Sequence, residues 1–216
     1  MIQKKIKEIR DSINKDIELV AVSKTKSKKE ILEAYNAGQK VFGENKIQEM
    51  TVKHEELPKD IKWHMVGHVQ SNKIKYMAPY VELVHGIDSL KSVKILNKEA
   101  KKNNRIIKCL LQLKISDEFT KFGLSEKEIE SILNSINILR LKNINVVGIM
   151  TIGSFTNNMS NVVKEFDMTK KIFDNLKSTF PNLKILSMGM SGDYKIAINH
   201  GSNMIRVGSL IFGKRI

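Results

Sequence analysis

Two hydrophobic periods alternate along this chain. Short runs rich in Val, Ile and Leu fall at residues 18–22, 40–42, 62–66, 83–87, 106–115, 146–150, 183–186 and 204–207, and each reads as a strand. Between them, segments at 28–37, 46–56, 89–103, 125–137, 161–179 and 194–200 space their apolar residues as an amphipathic helix does. A further helix is expected over 2–14, where Ile2, Ile6 and Ile9 are set among charged residues. Repeated strand–helix alternation implies a parallel sheet, because parallel neighbours need a crossover connection. About eight such units in 216 residues predict a closed (β/α)8 TIM-type barrel instead of a doubly wound open sheet, with the N-terminal helix as an addition. No Pro-rich or Gly/Ser-rich linker divides the chain, so a single domain over 1–216 is expected.

In such a barrel the loops after the strands form the functional face. The residues in those places are Lys24, Gly43-Glu44-Asn45, Gly67-His68, Gly86-Ile87-Asp88, Ser116-Asp117, Thr151, Ser187 to Ser191, and Arg206 to Ser209. Most of the 37 Lys and Arg must be solvated, and Lys26, Lys28 and Lys29 read that way. Lys24 differs, because strand alternation puts it on the side of Val20 and Val22. If that side faces the barrel interior, desolvation favours the neutral, nucleophilic amine.

The turns Ser187-Met188-Gly189-Met190-Ser191-Gly192-Asp193 and Arg206-Val207-Gly208-Ser209 form a candidate anion cradle. Glycines let backbone N–H groups approach a phosphate, serines add donors, and a helix beginning near Asp193 would turn its positive end to the anion. Gly-Ser turns also serve as plain loops; the signal is their joint placement after strands seven and eight, where these barrels frequently bind phosphate. Arg206 stands among Met204, Ile205 and Val207, and a buried guanidinium needs an acceptor. An unprotonated pyridine nitrogen would serve. An amine able to form an imine, with a phosphate anchor some distance away, suggests a pyridoxal phosphate site.

Composition narrows the alternatives. A 41% hydrophobic content suits one sizeable core, and the absence of a long apolar run or a signal-peptide pattern predicts a cytoplasmic protein without a membrane partner. The single cysteine, Cys109, lies in an apolar stretch and reads as a core residue. A net charge of +14 raises nucleic-acid binding, but the runs at Lys26-Ser27-Lys28-Lys29 and Lys101-Lys102 are scattered and lack interleaved aromatics, so no specific nucleic-acid partner is expected. His64 and His68 would pair on a helix, yet Trp63-His64-Met65-Val66-Gly67-His68 reads as a strand entering a loop, so no metal site is expected.

The segments Ala21-Val22-Ser23-Lys24-Thr25-Lys26, Phe42-Gly43-Glu44-Asn45, Trp63 to Lys73, Leu186 to Ser191 and Arg206 to Gly213 resemble, in order and spacing, the YggS/PROSC family of pyridoxal phosphate homeostasis proteins. The resemblance covers essentially the whole chain. It implies a barrel like the N-terminal domain of alanine racemase, with pyridoxal 5'-phosphate (PLP) held as a Schiff base on Lys24. It also implies a ring contact from Arg206, phosphate contacts from Ser191, Gly208 and Ser209, a lining role for Asn45, and further contacts from Ser187 and Met188. Ser27 departs from the family by standing where a proline is common.

The resemblance leads to the expectation of a non-catalytic protein that buffers or delivers PLP, with PLP-dependent apo-enzymes as recipients, affecting amino-acid and keto-acid balance as a monomer or weak dimer. Two-base racemisation needs a second group opposite the lysine, which in the racemases comes from a second, β-rich domain, whereas this sequence reaches Ile216 shortly after the eighth strand. The alternatives are a PLP-dependent racemase-like enzyme and a Schiff-base aldolase; the latter needs an acid/base partner near Lys24 and leaves Arg206 unexplained.

Overall fold

Alternation along each strand sorts its side chains into two layers. Val20, Val41, Val66, Leu83, Leu110, Met150 and Met204 form an inner cluster, while Leu19, Ala21, Phe42, Trp63, Val84 and Cys109 belong to a larger outer cluster shared with the helices. The computed structural model describes residues 1–115, 123–154, 156 and 158–213. Its strands are β1 (Glu18–Val22), β2 (Val41–Glu44), β3 (Lys62–Met65), β4 (Leu83–Ile87), β5 (Ile107–Leu113), β6 (Ile144–Thr151), β7 (Ile185–Ser187) and β8 (Met204–Val207). They follow one another around a closed barrel, every pair parallel, with β8 returning to β1. The expected (β/α)8 barrel is the fold observed.

The described helices are α1 (Ile2–Asp11), α2 (Lys28–Asn36), α3 (Ile47–Glu56), α4 (Ile74–Met77), α5 (Leu90–Lys102), α6 (Glu126–Ile138), α7 (Met159–Thr179), α8 (Tyr194–Asn199) and α9 (Ser209–Phe212). The additional N-terminal helix is α1. It buries Ile2, Ile6 and Ile9, each worth about 1.5–3 kcal/mol on full burial, and its Arg10 donates to Gln39 Oε1 at 2.9 Å. Gln39 in turn donates to the carbonyls of Leu19 and Val41, so one buried amide joins α1 to the starts of β1 and β2. Ser27 caps α2 in a reciprocal arrangement with Glu30, a cap of the type worth about 0.5–2 kcal/mol. Thus Ser27 starts the helix by hydrogen bonding.

Two short helices were not expected from the sequence, and several element boundaries shift, among them that of β5. α4 and α9 are four residues each, too short to display a helical period, and β5 ends at Leu113, after which Lys114 donates to the Leu124 carbonyl. β6 and β7 approach closely because residue 148 is glycine: an added Cβ would lie 1.8 Å from the Ile185 carbonyl oxygen. Cys109 is fully buried and its thiol is pushed up to about 12 by that burial, as suits a core residue. Among the described residues no helix is long and apolar enough to cross a membrane.

Candidate functional site

The strand C-termini surround a cleft of about 590 Å3, a size suited to a small ligand. Val20 belongs to the inner cluster and Val22 lines the cleft, so the alternation of β1 delivers Lys24 to the same space. Val20 is also the register partner of Arg206 across β1 and β8, which sets Arg206 on the inner face. Lys24, Asn45, Ser191, Arg206, Gly208 and Ser209, six of the eight predicted contacts, line this one cleft.

Arg206 is only 5% exposed. Its guanidinium donates to Ser187 Oγ at 2.7 Å and to the Thr151 carbonyl at 2.8 Å. Burial lowers its pKa to about 10, against a partly restoring pull from Asp193, so it remains a cation near neutral pH. Behind it runs a buried polar chain. Ser187 Oγ lies 3.4 Å from His85 Nδ1, and His85 Nε2 lies 3.1 Å from His64 Nδ1. Burial drives His64 down to about 3 and His85 well below its usual value, so both imidazoles are neutral. The strand position of Arg206 therefore meets the acceptor requirement from within the protein while leaving the residue at the cleft wall.

The other end of the cleft is built from the two Gly/Ser turns. Ser191 Oγ accepts the Gly208 N–H at 3.2 Å and the Leu210 N–H at 3.5 Å. The helix start that meets Ser191 is thus that of α9, not the one near Asp193 singled out by the sequence. Asp193 instead orders its own turn, accepting the Met190 N–H at 2.5 Å; burial raises its pKa, partly offset by that bond and by Arg206. Gly189 is required here, since its φ is +93° and an added Cβ would lie 2.5 Å from that of Ala197.

Ser187 and Met188 do not line the cleft. Ser187 is buried behind Arg206, and the Met188 side chain lies in the outer core. Lys26 corrects a sequence expectation: it lines the cleft instead of standing free at the surface, with Nζ donating to the Phe212 carbonyl at 3.0 Å and lying 3.4 Å from Glu30. The cause is a chain reversal just after Lys24, in which Thr25 takes φ +65° and Lys26 N–H returns to the Ser23 carbonyl. Gln112 was missed. It lies in the apolar run of β5, two residues after the inward Leu110, and that alternation was the available signal. His64 and His68 do not converge: His64 joins the buried chain, while His68 lines the cleft 3.2 Å from Asp88. Among the described residues no cluster of His, Cys, Asp or Glu fits a metal ion. Ser116 and Asp117, expected at the end of the fifth strand, lie outside the described residues.

A closed parallel barrel with its lysine, buried arginine and paired Gly/Ser turns around one cleft falls in the class of the alanine racemase N-terminal domain, whose family matches residues 1–215. The pyridoxal phosphate homeostasis protein of Vibrio alginolyticus is 39% identical over 204 residues, spanning 92% of this chain and 87% of that protein. PipY of Synechococcus elongatus, solved without PLP, superposes with a TM-score of 0.93 at 31% identity over 99% of this chain and 100% of its own; the form with PLP bound gives 0.90. An alanine racemase of Clostridium difficile shares the fold, with a TM-score of 0.81 at 16% identity, this chain covering 59% of it. The chain belongs to the alanine racemase N-terminal domain family and, within it, to the pyridoxal phosphate homeostasis proteins.

Proposed function

We propose that this protein binds PLP in the cleft, holds it covalently through Lys24, and serves the cell as a buffer or carrier of the cofactor. One observation carries the proposal: Lys24, Arg206 and the Ser191 and Gly208-Ser209 turns line a single cleft of about 590 Å3. The names of its relatives and the PLP-bound form of PipY support the same ligand. When bound, the cofactor supplies an aldehyde that condenses with a primary amine, releasing one water.

The residues present fit that group. Lys24 is the amine, carried inward by β1. Ser191 and Ser209 offer hydroxyl donors to the phosphate, and Gly208, whose N–H is given to Ser191 Oγ, lets the turn approach the anion closely. Arg206, still protonated, donates toward the ring nitrogen and keeps it unprotonated, which weakens the ring as an electron sink and suits storage better than carbanion chemistry. Asn45 lines the wall. Besides Lys24 and Arg206, the titratable groups that line the cleft among the described residues are Lys26 and His68, which are engaged with Phe212 and Glu30 and with Asp88. That engagement supports a carrier over a two-base racemase. The proposal includes a single cytoplasmic domain, monomeric or weakly dimeric, with PLP-dependent apo-enzymes as recipients; Ser187 acts through Arg206, and Met188, whose backbone is hydrogen-bonded to Ser202, supports the turn after β7.

The test begins with the visible absorption spectrum before and after borohydride reduction, which should show a band lost on reduction. The loaded protein is then incubated separately with L-alanine and with a cofactor-free transaminase. Recovery of transaminase activity without racemisation is the expected result. Multiple-turnover racemisation would reject the carrier in favour of an enzyme.

A further inference from the structure

Beside the cleft, but not lining it, lies a buried ion network at the end of β1. Lys53, on the inward side of α3, is 6% exposed. Its ammonium donates to the Ser23 carbonyl at 2.8 Å, to Glu44 Oε1 at 2.8 Å and to Glu49 Oε1 at 2.7 Å. Glu44 Oε1 also accepts the Ser23 hydroxyl at 2.6 Å, and Glu49 Oε1 also accepts the Thr25 N–H at 2.6 Å. Ser23 and Thr25 are the residues on either side of Lys24. One ammonium therefore gathers the peptide group before the cleft lysine directly and the one after it through Glu49.

The conformation held this way is one the local sequence disfavours. Thr25 is β-branched and has φ +65°, in the left-handed region where such residues are outliers. Surroundings must over-determine a conformation of this kind. A buried ion pair is seldom retained for stability alone, because apolar replacements of similar volume are often as stable. Here the network also carries a cost: burial raises the pKa of Glu44 despite Lys53 and the Ser23 hydroxyl, and Glu44 Oε2 has no hydrogen-bond partner among the described residues. Glu49 behaves differently. Burial acts to raise it, but Lys53 and the Thr25 N–H together hold it below the usual carboxylate range, marking it as the charged member that grips the turn.

We propose that Lys53 is a positioning residue for Lys24: by holding Ser23 C=O and, through Glu49, Thr25 N–H, it keeps the strained reversal that aims the Lys24 amine into the cleft. This rests on the cofactor role proposed above. The bond it governs forms when the Lys24 nitrogen attacks the aldehyde carbon; the amine gives up two protons, the aldehyde its oxygen, and one water leaves. Lys53 touches none of those atoms.

The test separates covalent capture from simple occupancy. Lys53→Met alone strands Glu44, so the double variant Lys53→Met/Glu44→Gln is compared with wild type. Its affinity for pyridoxine 5'-phosphate, which has an alcohol in place of the aldehyde, should stay within about twofold, while covalent capture of PLP slows about tenfold or more, as expected from misplacing a reacting group. In the ligand-free protein, amide exchange at Thr25 should accelerate by about tenfold or more in the variant. Adding Thr25→Gly should restore part of the capture rate, since glycine takes a positive φ without strain. Wild-type capture together with wild-type protection at Thr25 would overturn the proposal, and so would equal loss of both ligands. A wild-type protein that never reacts with PLP would instead overturn the cofactor reading, and the exchange measurement would still decide the role of Lys53.

Discussion

Ser191 Oγ accepts the Gly208 N–H at 3.2 Å, a bond that ties the turn after β7 to the turn after β8. The anion cradle is thus one unit built from two turns, and its serines should act together. Ser191→Ala/Ser209→Ala should weaken retention of pyridoxine 5'-phosphate, with each lost charge-assisted hydrogen bond contributing about 1.5–3 kcal/mol before water recovers part of it. Titration calorimetry reads this directly, and unchanged affinity would place the phosphate elsewhere.

Lys24→Ala should abolish covalent capture of PLP while leaving the thermal transition in place, since the side chain lines a cleft and not the core. Peptide mapping after borohydride reduction checks the assignment. Lys26 lines the same cleft and is the natural rival, so a pyridoxyl mass on Lys26 in the wild-type protein would transfer the role to it.

The buried histidines give stability a defined acid limb. Unfolded, each titrates near 6.5; folded, burial holds His64 at about 3 and His85 well below 6.5. Between those values the unfolded chain binds more protons, so this contribution is fully present above about pH 6.5 and is lost as pH falls toward 3. His64 should remove on the order of 1 kcal/mol per pH unit over that window, and His85 acts in the same direction. Urea midpoints measured from pH 7 to pH 4.5 should follow this fall, and His64→Gln should flatten it. An unchanged slope in the variant would show that other groups set the limb.

Two glycines should differ sharply in their tolerance of alanine. Gly148→Ala drives a methyl group to 1.8 Å from the Ile185 carbonyl oxygen, which is backbone and cannot swing away. The β6–β7 pairing must open, at a cost of about 3 kcal/mol or more. Gly192→Ala meets nothing within 4 Å and should change stability by no more than about 0.5 kcal/mol. Chemical denaturation of the two variants side by side tests the contrast.

Hydrophobic period located the eight strands, and their alternation with helices pointed to the closed barrel, because burial on one face imposes a repeat along each element that needs no knowledge of its neighbours; which side of the apolar β1 faces inward was left to the structure. The strand ends then named Lys24, Arg206 and both Gly/Ser turns. What period cannot report is partnership. α4 and α9 are shorter than a detectable repeat, and the alternation that places Gln112 inward does not say what it meets there. Lys26 and Lys53 are two cations among 37 Lys and Arg until the chain reversal at Thr25 brings one into the cleft and the packing of α3 against β2 and β3 buries the other. The contacts of Ser23 with Glu44, of Lys53 with both, and of Arg206 with Ser187 join side chains from different strands and helices that only the folded packing brings together. Burial is written into each segment's composition; the choice of which buried polar group meets which is made only when the strands and helices pack and desolvation leaves each of them no water to bind.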